Sequence, residues 1–473
     1  MDHKVSMISR REFLIGAAGT AGALLIHSCG DGSSRSASES PAVVMLEDVP
    51  LQAWHPETAR FHPGVDRVLE ILRDKGIPLL RTTASHPMGG TGGIISPDDV
   101  IVIKVNGVGQ KVSSTNTDIL GGLVARILDH PDGFEGEVVI VDKYFFYTVP
   151  TRGTDANAEV REQNFDFVAD ALGGRVTTYM FGRMWPPWSW LPWGPGSLVF
   201  RPPVPYDPEP WWSDGYVDLM TLFPEDPAFS CLSYPRFTTA RGTRIDLRRG
   251  VYEGGEFHDR LRFIDVPVLK RHHWMGMTAA LKNLFGILNI GTVVGNIRGD
   301  PTGEVWERWL ETHHEIPRGG LLGRFMRHIR RPDLTLVDAI RVPHHPGTLM
   351  NAKTLFASSD PVAVDHAAAT QLLYPTPVEI TPCSAREVGR SDCQDPPPCL
   401  ANPGYCERYR PDLEDDRTIG PERWGDPSGR MGTYLKYGVP VNALGQYLRT
   451  AAAAATGRPD AAPGDYRLTR ERF

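Results

Sequence analysis

Lys270, Arg271, His272, His273, Lys282 and Asn283 crowd LKRHHWMGMTAALKNLFGILNI, the mostly apolar stretch from Leu269 to Ile290. Burying such groups unpaired costs several kcal/mol, about 2–7 for a neutral polar group and more for a charge. The stretch therefore predicts the wall of a site. Lysines hold and polarise an anion, and an imidazole exchanges protons near neutral pH. The catalytic candidates are His272, Lys282, Asp360 and Asp365. Lys270, His272 and Lys282 would bind a small anionic ligand, His272 would move protons, and Asp360 or Asp365 would orient a lysine or histidine. The plainer alternative sends Lys282 out to water along its own stem and leaves the histidines bonded to backbone carbonyls. Asp365, one turn into a capped helix, would then serve the helix dipole.

Other polar residues stand where apolar runs end. VIVIKVNG ends in Lys104 and Asn106, GEVVIVDKY ends near Asp142, LRFIDVPVLK ends in Lys270, and LTLVDAI delivers Asp338. In parallel α/β sheets ligands bind beyond the carboxyl ends of strands. Lys104, Asn106, Asp142, Lys270, Thr278, Asn283 and Asp338 are accordingly the ligand-binding candidates. A helix over Met277–Leu288 would turn Leu281, Leu284, Phe285 and Leu288 toward the sheet. Thr278, Lys282 and Gly286 would share another face, with Gly286 leaving room for close backbone approach. The first turn of that helix would offer free N–H groups to an anion.

The elements that must position these residues alternate. Strands at Asp99, Gly136 and Arg175 are separated by helical runs, ILGGLVARIL and FDFVADALGG, the first capped by Thr115, Asn116 or Thr117. Alternation of this kind predicts an α/β fold, a mostly parallel sheet with helices on both faces. LRFIDVPVLK is expected as one strand, residues 312–329 as a basic surface connection, and Asp360-Pro361 as the cap and first turn of a helix. A Trp/Pro-rich insertion spans about 184–252, with Trp185, Trp188, Trp190, Trp193, Trp211 and Trp212 among many prolines. That proline density argues against regular helix or central strand. The insertion is either packed down by its own tryptophans or an aromatic platform for sugar or lipid.

Composition narrows the class. With 41% hydrophobic and 23% charged residues the chain is ordinary for a globular protein, and a net charge of -7 gives no support to nucleic-acid binding. At the N-terminus, Arg10 and Arg11 precede Phe13 and Leu14, and a Gly/Ala-rich apolar run ends at Cys29. This looks like a twin-arginine export signal over residues 1–28, its apolar run short for a membrane span. IHSC resembles a lipoprotein cleavage box. Lipid on Cys29 followed by a flexible tether over 29–45 would anchor the protein; His27 is unusual in such a box, so release after plain cleavage competes. The expected partners are the twin-arginine translocase, a membrane reached through that anchor, and a small ligand. Outside the cytoplasm, Cys383, Cys393, Cys399 and Cys406 predict two disulfides in a Cys-rich loop over about 381–410. Their spacing suits neither zinc nor an iron–sulfur cluster. The α/β domain is expected over 46–450 and a frayed tail over 451–473. The doublets His272/His273, His313/His314 and His344/His345 are possible metal ligands, although lone doublets more often bond carbonyls.

Four blocks, VIVIKVNG, VPVLKRHHWMGMTAALKNLFG, LTLVDAI and FASSDPVAVDHAAA, together resemble the domain of unknown function family 362, in order from Val100 to Leu373. The corresponding positions are Lys104, Asn106, Lys270, His272, Lys282, Asn283, Asp360 and Asp365. The family is often joined to ferredoxin-like iron–sulfur segments, which implies redox work or cofactor handling. This chain departs from that pattern, having no Cys-x-x-Cys-x-x-Cys run. The resemblance and the polar cluster together lead to an exported, redox-linked enzyme acting on a small anionic ligand. The alternatives are a non-catalytic cofactor-binding or maturation protein and a carbohydrate binder using the Trp-rich insertion. No particular cofactor or metal is identified by the residues.

Overall fold

The computed structural model describes residues 40–107, 113–144, 157–183, 212–218, 233–288, 317–344, 348–373 and 443–473, except 161 and 273–275, together with 204, 418–419 and 439–440. Eight strands build its main sheet. In chain order they are β1 (Ala42–Glu47), β2 (Val100–Val105), β3 (Glu137–Tyr144), β4 (Val176–Arg183), β5 (Leu261–Val266), β6 (Leu334–His344), β7 (Thr348–Ser358) and β8 (Arg467–Arg472). Across the sheet the order is β8-β1-β7-β6-β5-β2-β3-β4. Strand β7 pairs antiparallel with both β6 and β1, and every other neighbouring pair is parallel. The α/β reading with a mostly parallel sheet holds.

The central strands are continuous apolar runs because both faces of the sheet are covered; all six residues of β2 are buried. Alternate side chains divide between two cores. Ile101, Ile103, Ile264, Val266, Leu334 and Leu336 face helices α1 (Pro63–Asp74), α2 (Thr117–Leu128) and α3 (Phe165–Leu172). Val100, Val102, Val139, Leu261 and Phe263 face α4 (Ala280–Leu284), α5 (Pro317–His328), α6 (Pro361–Ala368), α7 (Ala443–Thr456) and a second sheet. Local signals set the helix starts. Asn116 caps α2, its side chain accepting from the Asp118 and Ile119 amides at 2.8 and 3.4 Å. Asp360 caps α6 with Pro361 in the first turn, as the sequence predicts.

Several expectations give way. The second half of the insertion is a five-stranded antiparallel meander: Gly215–Asp218, Ser233–Thr238, Arg244–Asp246, Gly250–Glu253 and Glu256–His258. The prolines concentrate earlier in the insertion, and only Pro235 falls in a described strand of this sheet. Residues 317–328, expected within a surface connection, form α5, whose Leu321, Leu322, Phe325 and Met326 are buried. Its arginines and glycines conceal that apolar stripe in the sequence. Ala42–Leu46, mostly assigned to a tether, is a buried strand. Arg467–Arg472, expected in a frayed tail, is edge strand β8, parallel to β1. Pro267 ends β5, so LRFIDVPVLK is not one strand; Lys270–His272 pairs instead with Gly276–Thr278 in a hairpin. The helix expected over Met277–Leu288 is consequently shorter. It runs Ala280–Leu284 and tightens into i→i+3 turns up to Leu288. Leu281, Leu284, Phe285 and Leu288 are still buried, because a few tight turns seat an apolar stripe as well as a long helix does.

Candidate functional site

A polar row crosses the sheet on the face under α4. Lys104 on β2 stands opposite Asp265 on β5, and Asp265 stands opposite Thr335 on β6. Lys104 is 1% exposed, and its ammonium has three acceptors: Asp142 Oδ1 at 2.8 Å, Asn283 Oδ1 at 3.0 Å and the Val105 carbonyl at 2.6 Å. Three donors meeting three acceptors is complete satisfaction. Asp142 Oδ2 accepts from the Gly107 amide at 2.5 Å. Asn283 carries the network onward, donating to Asp265 Oδ1 at 2.7 Å. Gly286 fits here because a Cβ would lie 2.6 Å from Lys104 Nζ and 2.8 Å from Asp142 Oδ1. The close backbone approach expected at Gly286 is therefore made, and it is made to the Lys104–Asp142 pair.

Asp265 is missed by the sequence reading. Its position inside the apolar run FIDVPV was the available signal, since an acid there needs a partner. It is fully buried, its Oδ2 has no hydrogen-bond partner among the described residues, and the same holds for the neighbouring Thr335 hydroxyl. Burial drives the Asp265 carboxyl well above the usual carboxylate range, against the pull of Lys104.

Lys270 and Lys282 sit beside this network. Lys270 donates to Asn106 Oδ1 at 3.2 Å and to the Ser113 carbonyl at 2.9 Å. Asn106 is itself fixed, its amide bonded to Thr115 Oγ1 at 2.8 Å, and that hydroxyl bonds the Val266 carbonyl at 2.7 Å. The loops after β2 and β5 are thereby tied together beneath Lys270. Burial pulls the Lys270 ammonium down to about 7, Lys104 adding to the effect and Asp142 opposing it. Lys282 keeps part of its surface accessible, yet no hydrogen bond or ion pair holds its ammonium among the described residues. Burial pushes it well below the ordinary lysine value, and the charge of Lys270 pushes it further.

The remaining candidates separate. Asp365 does not orient a lysine or a histidine in the described structure. Its two oxygens accept from the Ala280 and Leu281 amides at 2.8 and 3.0 Å, and burial raises it to about 7. The first amides of α4, expected to be open to an anion, are taken by this carboxylate. Asp360 caps α6, accepting from Val362 and Ala363 at 2.9 and 3.1 Å, and pairs with Arg331 at 2.6 Å. Thr278 is opposite Lys270 in the hairpin and buried. Asp338 falls outside the cluster: its neighbours Leu336 and Ile340 belong to the core on the other face. There it accepts from the Asn116 amide, Asn157 Nδ2 and the Ile340 amide at 2.9, 2.9 and 3.0 Å, and burial raises it to about 6.

The backbone of His272 ends one hairpin strand, but its side chain lies outside the described residues, as do His273, His313, His314 and His345 and the side chain of His344. Residues 1–39, with Cys29, and Cys231, Cys383, Cys393, Cys399 and Cys406 also lie outside them. Among the described residues no group of three or more His, Cys, Asp or Glu is placed to hold a metal ion, and no described helix is long and apolar enough to cross a membrane.

Residues 240–370 match the family model described as Domain of unknown function (DUF362). The match contains the hairpin, α4, β6, β7 and α6, in line with the resemblance carried by LKNLFG and DPVAVD; it excludes β2 and β3, which supply Lys104 and Asp142. No curated protein and no solved structure matches the chain.

Proposed function

We propose that the protein holds a small anionic ligand between Lys270 and Lys282, beside the carboxyl ends of β2 and β5, and acts on it as an exported enzyme. The observation that carries this reading is the unmatched cation. Nearby acids are committed elsewhere: Asp142 to Lys104 and Gly107, Asp365 to two amides, and Asp265 to Asn283, with burial disfavouring its charged form. An anion placed between the two ammonium groups would relieve their repulsion and raise both pKa values. Asn106 and Ser113 would orient Lys270 toward it, and His272 would exchange its protons. The redox link rests on the family resemblance, and export on the paired arginines at residues 10 and 11, with Cys29 as the anchoring residue.

A second reading, a non-catalytic binding or maturation protein, is favoured by the way Asp142 and Asp365 are spent on hydrogen bonds within the fold, which leaves few groups to act as a base. The carbohydrate reading has less support. Trp212, the one tryptophan of the insertion among the described residues, is stacked on Tyr252, covered by Arg236 and bonded to Asp214.

The test is a calorimetric titration of the natively exported protein with phosphate and with lactate at pH 6, 7 and 8. Metal content and absorption spectrum are recorded first. Affinity should fall as pH rises and the amines lose charge, and Lys282→Met should weaken binding by roughly tenfold or more, the worth of one charge-assisted contact. Unchanged binding in that variant sinks the reading. Stoichiometric flavin, iron–sulfur or metal signal with ligand turnover favours the redox enzyme; saturation without turnover favours the binder.

A further inference from the structure

Within one cluster, Lys104 Nζ has three acceptors and Lys282 Nζ has none among the described residues, yet Lys282 retains accessible surface. Its backbone is firmly seated. Asp365 grips the two amides that begin α4, Asn283 is bonded to both Lys104 and Asp265, and Gly286 abuts the Lys104–Asp142 pair. The segment thus presents a partnerless amine from a pinned support, next to a second lysine fixed by Asn106 and Ser113. A lysine serving only as a charge has no need of such surroundings; an amine that must reach a carbonyl carbon with its lone pair free does.

We infer that Lys282 is a nucleophilic amine that condenses with the carbonyl of a 2-oxo acid while Lys270 holds the carboxylate. This deepens, and rests on, the anion-binding reading above. The Nζ lone pair forms a C–N bond to the carbonyl carbon, and the carbonyl oxygen takes up a proton. The resulting hydroxyl takes up a second proton and leaves as water while nitrogen gives up one of its two hydrogens, so amine, ketone and one proton become protonated imine and water with no change of oxidation state. Lys270 supplies both protons to oxygen and recovers one from nitrogen, and solvent replaces the one it has given up. The protonated imine then draws electrons from the adjacent carbon, the property that decarboxylation, aldol and proton-exchange chemistry at that carbon require. The low basicity of the part-buried Lys282 supports the step, because an exposed lysine is neutral only about once in 10³ molecules at pH 7.

The experiment incubates the folded, full chain with pyruvate and sodium cyanoborohydride at pH 7, which reduces an imine to a stable secondary amine. Peptide mass spectrometry then locates the adduct. Lys282 should be modified roughly a hundredfold faster than exposed Lys75 or Lys353, a gain set by its larger neutral fraction and lowered by weaker nucleophilicity. Lys282→Arg should abolish the adduct, Lys270→Met should slow it, and excess lactate, which has the carboxylate but no carbonyl, should compete. Adduct spread evenly over surface lysines overturns the inference. If pyruvate and lactate bind with equal affinity and no adduct forms, the imine is refuted while the anion site stands; if neither binds, both readings fall.

Discussion

Lys104 and Lys282 belong to one cluster, linked through Asn283, and their surroundings are opposite. Lys104 lies under the sheet's cover with a carboxylate, an amide oxygen and a carbonyl around its ammonium. Lys282 emerges from α4 with no acceptor among the described residues and a repelling neighbour. Coulomb attraction in a poorly solvating interior stabilises the first charge and is absent for the second. Two lysines brought together by the fold therefore divide into one that maintains it and one that it holds ready.

The largest effect should come from Lys104→Ala. It leaves Asp142 buried without its cation and should cost about 3–5 kcal/mol in urea unfolding, whereas Lys282→Met should change stability by less than about 1 kcal/mol in either direction. Equal losses would break the contrast. Next, Gly286→Ala should cost about 1–3 kcal/mol by crowding Lys104 and Asp142. The cost should shrink in the Lys104→Ala background, where the nearest obstructing atoms are gone; full additivity would mean that Gly286 serves something else.

The pH dependence sharpens the contrast further. Asp365 is raised from 3.8 to about 7, so between those values the folded chain carries a proton that the unfolded chain has lost. Stability should therefore fall as pH rises through that window, by at most about 1.4 kcal/mol per pH unit. Lys270 is depressed from 10.5 to about 7, so the unfolded chain binds the extra proton above pH 7 and stability should rise with pH there. Asp365→Asn should make the first slope shallower by up to that amount, leaving the share of the likewise raised Asp338 and Asp265, and should leave the second unchanged, read from denaturation midpoints between pH 4 and 10. The smallest change belongs to Asp360→Ala: about 1 kcal/mol for a lost helix cap, with little added by the half-exposed Arg331 partner.

How much of this was legible in the sequence depends on how each residue is solvated. The strands carrying Lys104 and Asp142 announce themselves, because buried parallel strands are unbroken apolar runs whose polar endings stand out. The Asn116 and Asp360 caps are equally plain. Asp265 was hidden by the same logic, being one acid within a run scored for its apolar neighbours, its partner Asn283 lying in a different segment. The helix starting at Met277 was misjudged because periodicity in Leu281, Leu284, Phe285 and Leu288 cannot tell a long helix from a hairpin leading into tight turns. Strand β8, RLTRER, has no apolar pattern at all, since an edge strand keeps little of its surface from water. Asp338 ends an apolar run as the others do, but its side chain turns to the opposite face, which only the register settles.

Strand β8 also imposes an order of events. It covers the outer edge of β1, from Ala42 to Glu47, yet it is synthesised about four hundred residues later. At the roughly 5–20 residues per second of translation, β1 waits about 20–80 s for that partner. Throughout that interval its row of backbone donors and acceptors is open to any other extended chain. Protection from chaperones during synthesis, or a delay in sheet assembly until release from the ribosome, follows as a requirement of the topology itself.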